Sequence, residues 1–341
     1  MARALVTGGG GFLGRALCLQ LLAAGDEVAV FSRRRFPDLE ERGVESLQGD
    51  LADAKAVRAA CAGREVVYHV AALAGAWGDP ARYEATNVIG TRNVIAACRA
   101  GGVPKLVFTS SPSVVAPPTP HDLIDADEST PYPERTLADY PRTKALAERD
   151  VLAANDRKLA TCALRPHLIL GPGDPHLLPR VFARARAGRL RIVGAGTNLV
   201  DFTYVEDAAR AHRLAAACLD PGGPAAGRAY FITQGEPVAL WPWINGLLEA
   251  VGLPPVTRRI SLRGAMRLGG ALEATWRWLR LSGEPPMTRF VALQLATTHT
   301  FSIAAARRDL RYEPSLSMDE LTALLAEHYG RGPGRAVAHG G

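Results

Sequence analysis

The 341-residue chain is 48% hydrophobic and 22% charged, a globular balance, and is long enough for a nucleotide-binding domain with an appended lobe. Its formal charge of +6 is carried almost entirely by Arg scattered through helical segments, with no aromatic-basic module, so nucleic-acid binding is not expected. There is no uncharged apolar run of bilayer length, no secretory signal before the first strand, and no C-x-x-C spacing among the five cysteines, so a reducing, cytoplasmic setting without a transmembrane segment is expected.

The first hundred residues alternate β-rich runs with helical segments, the pattern of a parallel sheet covered on both faces. Strands are predicted at Ala4–Val6, Glu27–Phe31, Glu45–Gln48, Val66–Val70 and Leu106–Thr109, with a sixth at Leu164–Leu170. Helices are predicted at Leu13–Ala24, stopped by Gly25, and at Ala85–Ala100, stopped by Gly101-Gly102. After Gly171-Pro172-Gly173 the alternation weakens and helices rich in Arg, Leu and Trp take over. The expected fold is α/β: a Rossmann doubly wound parallel sheet over 1–176 and a smaller, mainly helical C-terminal substrate lobe over 177–330. Segment 201–235 should return to the first domain through a strand at Ala229–Thr233, and 331–341, without periodicity, reads as a disordered tail.

The run Thr7-Gly8-Gly9-Gly10-Gly11-Phe12-Leu13-Gly14 follows a strand and opens a helix, the context a dinucleotide loop requires. Gly8 serves the tight turn, Gly11 the close approach to pyrophosphate and Gly14 the packing of helix on sheet, with the backbone at Phe12 and Leu13 facing the anion. About twenty residues on, an NAD enzyme offers an acid to the ribose. Here Ser32 stands in that place and Arg33 offers a donor fork suited to a 2′-phosphate, which favours NADP(H), with NAD(H) as the alternative. Asp50 and Leu51 should lie near the adenine, and Ala71 and Ala72 beneath the pyrophosphate and ribose.

Tyr140 and Lys144 are four apart, hence on one helical face. An ordinary phenol is a poor proton donor near neutrality, and a neighbouring ammonium stabilises its phenolate. Ser111, after a strand, is placed to hydrogen-bond a substrate carbonyl, and Asn87 to support Lys144 through backbone or water.

The glycine loop, Asn87-Val88-Ile89-Gly90-Thr91, Thr109-Ser110-Ser111, Tyr140-x-x-x-Lys144 and Arg165-Pro166 leading to Gly171-Pro172-Gly173-Asp174 together resemble the extended short-chain dehydrogenases. Ala74-Gly75-Ala76-Trp77-Gly78, Asp201-Phe202-Thr203-Tyr204-Val205 and Arg308-Asp309-Leu310-Arg311-Tyr312-Glu313-Pro314 resemble their 3β-hydroxysteroid dehydrogenase branch. Along almost its whole length the chain is similar to the 2-alkyl-3-oxoalkanoate reductase group of bacterial long-chain olefin biosynthesis. The resemblance implies reduction of a 3-keto group, with Tyr140 protonating the developing alkoxide and Lys144 lowering the Tyr pKa and binding ribose. It implies that Ser111 orients the carbonyl and that backbone at Pro166 and Leu168 holds the carboxamide. A hydrophobic small-molecule substrate touching Ser111, Trp77 and His167, a homodimer, and association with other olefin-pathway enzymes are further expectations of the resemblance. The alternatives are a 3β-hydroxysteroid or sterol-carboxylate dehydrogenase, a sugar-nucleotide epimerase, and a non-catalytic NADP(H) sensor or scaffold.

Three weaker signals remain. His69, His167 and His176 lack metal-ligand spacing, so no metal is expected. Arg180, Arg184, Arg186, Arg189 and Arg191 read as a solvated face, or as an attractor of an acidic substrate or a CoA-like phosphate. Between Arg263 and Leu281, Ala265, Leu268, Leu272, Trp276 and Leu279 share one face, and Arg263, Arg267, Glu273, Arg277 and Arg280 the other. That pattern predicts a helix packed on the core, a lid over alkyl chains, or a surface for a membrane or partner.

Overall fold

The computed structural model describes residues 1–330; the tail expected at 331–341 lies outside the described residues. Seven parallel strands run in the order Arg228–Ile232, Ala160–Pro166, Lys105–Thr109, Val66–His69, Arg3–Thr7, Glu27–Ser32 and Glu45–Gln48. The fold class expected from the sequence is the one found. Central strands such as Val66–His69 and Ala160–Pro166 are buried along their whole length, because helices cover both faces and leave no solvent side to alternate with. The strand order reverses between Arg3–Thr7 and Val66–His69, so the carboxyl ends of these strands open a crevice.

Two polar clusters inside this sheet are paired. His69 bridges the Thr7 and Thr91 hydroxyls at 2.7 and 2.9 Å, and burial pushes its pKa down to about 3, which keeps the ring neutral. Glu148 and Arg165, both nearly inaccessible, pair at 2.6 Å, and Glu148 also accepts the Tyr132 hydroxyl. Removing one partner of such a pair would leave a bare buried charge.

Three local expectations are corrected. The predicted strand Leu164–Leu170 is two pieces: Ala160–Pro166 stays in the main sheet, then the chain turns through Leu168, at φ +41°, into Ile169–Leu170, which pairs with Thr203–Tyr204. The predicted helix Ala85–Ala100 opens as a π-turn over Glu84–Ile89 before becoming α over Gly90–Gly101. The amphipathic segment forms the helix Leu262–Trp278, but its buried positions are Ala265, Gly269 and Glu273. Glu273 is drawn inward by Arg289, whose backbone N–H and Nε it accepts at 2.7 and 2.8 Å, while Leu268 is left exposed.

The second lobe has its own core around Phe182, Phe202, Trp241 and Leu247, and includes a four-stranded sheet as well as helices. The chain passes between the two cores more often than the sequence suggests. Leu123–Ala126 leaves the first domain to pair with His299–Phe301. Ile303, Ala306, Leu310 and Tyr312 return to pack in the main-sheet core.

Candidate active site

A cavity of about 1240 Å³ runs along the carboxyl ends of the strands and into the second lobe. At one end lies the glycine loop. Gly8 has φ +70°, and a Cβ there would sit 2.8 Å from the Ala71 backbone; a Cβ at Gly14 would sit 2.3 Å from the Gly8 carbonyl oxygen. Both positions therefore exclude a side chain. Helix Phe12–Ala23 begins with no capping side chain and no acid in its first turn, so its N–H groups are free for an anion.

Gly8, Gly11, Phe12, Leu13, Gly14, Ser32, Arg33, Asp50, Leu51, Ala71, Ala72, Pro166 and Leu168, proposed as cofactor contacts, all line this cavity. Arg34 lines it too, which the sequence reading missed. The third arginine of the run, Arg35, is held by Glu40 at 2.7 and 2.9 Å, whereas Arg33 and Arg34 have no guanidinium partner among the described residues. Ser32 turns its hydroxyl to the Arg34 carbonyl. The cradle fits a dinucleotide, and Arg33 and Arg34 line the same cavity with their guanidinium groups unpaired among the described residues.

Tyr140, Lys144 and Ser111 converge where the cavity crosses from the first domain to the second. Burial raises the Tyr140 pKa, and a hydrogen bond with Ser111 lowers it. Ser111 also shares a 2.9 Å contact with the Ser113 hydroxyl and caps the turn Pro112–Val115. The Lys144 ammonium is not what draws the phenol downward here. It donates to the Thr109 carbonyl at 2.5 Å and lies 4.0 Å above the Phe108 ring, turned back toward the sheet. Burial pushes the Lys144 pKa down to about 7, against the opposing pull of Glu148.

Asn87 is tied elsewhere than expected. Inside its π-turn it accepts the Leu73 N–H at 2.8 Å and donates to the Leu73 carbonyl and the Thr143 hydroxyl at 3.0 and 3.1 Å. It thus fastens the loop beneath the cofactor cradle to the helix that carries Lys144, rather than reaching Lys144. Trp77 is not among the cavity-lining residues: its ring lies 5.1 Å from the Arg277 guanidinium, while neighbouring Ala74, Gly75 and Ala76 do line the cavity. His167 lines it, edge-on to His299 at 4.8 Å, and burial holds its pKa well below the ordinary value. Among the described residues, no group of three or more His, Cys, Asp or Glu could hold a metal.

Beyond the triad the wall changes character. Phe202, Leu240, Trp243, Ile244, Leu247 and Val181 line the cavity, as do Phe290, Val291 and Leu293. Trp243 packs against Phe202 with ring centroids 4.4 Å apart and donates its N–H to Thr322 at 2.8 Å. Apart from Arg33, Arg34 and Lys144, no Arg or Lys among the described residues lines the cavity. Sequence periodicity marked none of these apolar residues, because it shows that a helix is buried but not what faces it.

The model of the 3-beta hydroxysteroid dehydrogenase/isomerase family matches residues 5–262. The chain belongs to that family. It is 54% identical to the 2-alkyl-3-oxoalkanoate reductase of Stenotrophomonas maltophilia (strain K279a), over 93% of this chain and 96% of that one. It is 34% identical to the 3-beta-hydroxysteroid dehydrogenase of Mycolicibacterium neoaurum, over 96% and 92%. Among solved structures it resembles MoeE5 in complex with UDP-glucose and NAD, at a TM-score of 0.73 and 27% identity, over 96% and 99%. The protein is therefore an oxidoreductase of the extended short-chain dehydrogenase fold, built for a nicotinamide cofactor.

Proposed function

We propose that the chain reduces the 3-keto group of long-chain 2-alkyl-3-oxoalkanoic acids to the 3-hydroxy acids, using NADPH, as a step in olefin biosynthesis. The observation that carries this reading is the apolar substrate end of the cavity. A sugar nucleotide brings a diphosphate that needs cations, and none of the described residues supplies an Arg or Lys to that end, whereas hydrocarbon needs only the Phe202, Trp243 and Leu247 wall. The 54% identity to a reductase of such acids supports the same choice.

In this reading the cofactor, when bound, supplies hydride to C3. The N–H groups of the glycine loop hold the pyrophosphate, Arg33 and Arg34 the 2′-phosphate, and backbone at Pro166 and Leu168 the carboxamide. Ser111 donates to the substrate carbonyl and fixes it beside Tyr140, whose O–H supplies the proton to the developing alkoxide. Lys144 turns from the Thr109 carbonyl to the ribose hydroxyls and there steadies the phenolate. Asn87 positions both helices. We further propose a cytoplasmic homodimer, formed through the helices Gly90–Gly101 and Asp139–Ala153, which light scattering would test.

The deciding measurement is NADPH oxidation against 2-alkyl-3-oxo acids, steroids and UDP-sugars. Long-chain oxo acids should give by far the highest kcat/KM, climbing with alkyl length. A flat length profile together with efficient steroid turnover would move the assignment to a steroid dehydrogenase, the reading that the 34% identical relative supports.

A further inference from the structure

The helix Leu262–Trp278 leaves an apolar surface with nothing packed on it. Leu268, Trp278, Leu279 and Leu281 are 45%, 83%, 51% and 42% exposed, half of the eight large exposed hydrophobic residues among those described. Side chains of this kind gathered on one short segment mark a contact surface rather than ordinary surface scatter. The charges around them are of one sign. Arg263, Arg267, Arg277 and Arg280 belong to the same segment, and its one acid, Glu273, is buried and held by Arg289. Arg263, Arg267 and Arg280 have no partner among the described residues, and Arg277 lies over the Trp77 ring.

The end of the helix is built to present these groups. Arg280 takes φ +49°, the left-handed position where glycine is usual, and Leu281 N–H closes the turn on the Trp276 carbonyl at 3.0 Å. On its inner side Gly269 lets the helix approach the Thr288 backbone so closely that a Cβ would sit 2.7 Å from it. Thr288 caps helix Arg289–Gln294, whose Phe290, Val291 and Gln294 line the substrate end of the cavity. The exposed surface and the cavity wall are thus opposite sides of one two-helix layer.

We infer that this surface docks the protein on an anionic lipid bilayer, with Trp278, Leu279, Leu268 and Leu281 entering the headgroup boundary and the four arginines meeting lipid phosphates. An exposed Trp and leucines on a segment that also carries four Arg is the composition that interfacial segments use. A second copy of the chain fits poorly, since a two-fold contact would set four arginines against four with no free carboxylate between them. No described helix is long and apolar enough to cross the membrane, so the association is peripheral and reversible. This inference needs no assumption about the substrate, although a bilayer is where long-chain acids concentrate.

The test uses the full-length protein and sedimentation with vesicles of phosphatidylcholine alone or with about a third phosphatidylglycerol. Binding should require the anionic lipid, weaken with added salt and shift tryptophan emission to shorter wavelength. Trp278→Ser with Leu279→Ser, and separately Arg267→Glu with Arg280→Glu, should each lose at least tenfold in binding while melting as the unsubstituted protein does. Equal binding to neutral and anionic vesicles, no binding to either, or variants that bind unchanged would overturn the inference. So would a dimer in light scattering that Trp278→Ser dissolves, since the patch would then be a contact between copies.

Discussion

The two ends of the cavity are built on different principles. The cofactor end is made largely of backbone: a glycine loop, an uncapped helix start and strand ends from the first seventy or so residues, joined by Arg33 and Arg34. The substrate end is made of side chains, from Val181, Phe202, Trp243 and Phe290 among others, brought together from segments far apart in sequence. Backbone donors recognise a part common to every dinucleotide. An apolar wall of side chains can be rebuilt without disturbing that part, so a solved structure of the same fold can hold UDP-glucose where this chain presents Phe202, Trp243 and Leu247.

Changes at the junction of the two ends should have the largest effect. Tyr140→Phe should lower turnover by about a hundred- to ten-thousandfold, the usual worth of a positioned proton donor, with NADPH affinity nearly unchanged by fluorescence titration. A variant that turns over normally would remove Tyr140 from the chemistry. At the cofactor end, Arg33→Ala and Arg34→Ala should each weaken NADPH by roughly ten- to a hundredfold, from the loss of a charge-assisted contact of about 1.5–3 kcal/mol, and leave NADH unaffected. If the unsubstituted protein binds both cofactors equally, those arginines do not read a phosphate.

Trp243→Ala probes the other end. Each methylene removed from water contributes about 0.8 kcal/mol, roughly fourfold in kcat/KM per carbon. The rise with alkyl length should therefore flatten in the variant, while the dissociation constant for NADPH stays the same. A parallel loss for both cofactor and substrate would mean that the two ends are not separable.

A further effect is expected on stability. The folded pKa of Lys144, about 7, lies below its ordinary value of 10.5, so between these values the unfolded chain binds more protons than the folded one. This lysine therefore makes the cofactor-free protein less stable toward pH 7, and the penalty fades as pH rises toward 10.5. Lys144→Met should melt higher than the unsubstituted protein at pH 7, with the gap closing by pH 10, although turnover is lost. A gap independent of pH would show that Lys144 is not held in an unfavourable charged state.

Much of the first end was legible in the sequence because its residues act close to where they sit in the chain. Gly8, Gly14, Tyr140 and Lys144 carry their meaning in spacing: a turn, a close approach, one helical turn between phenol and ammonium. The departures came where the meaning depends on a distant partner. Lys144 was expected to depress the Tyr140 pKa; in this structure the Thr109 carbonyl holds its ammonium, and Ser111 is the group that lowers the phenol's pKa. Asn87 was expected to serve Lys144, and Leu73 and Thr143 claim its amide instead. Glu273 was counted on a solvent face, and Arg289 pulls it inside.

The sequence by itself determined the parallel sheet and its glycine loop, and put Tyr140 and Lys144 one helical turn apart, because β-rich and helical runs, positive φ and i, i+4 spacing are local consequences of residue type. Only the tertiary structure decided which surfaces are covered. Trp77, chosen from the sequence as a substrate contact, stacks with Arg277 outside the cavity lining, while Trp243, which no motif marked, forms its wall. Both are tryptophans in apolar stretches. What separates them is the set of residues that crosses from elsewhere in the chain, and the hydrophobic effect that drives such packing has no direction and leaves no spacing in the sequence.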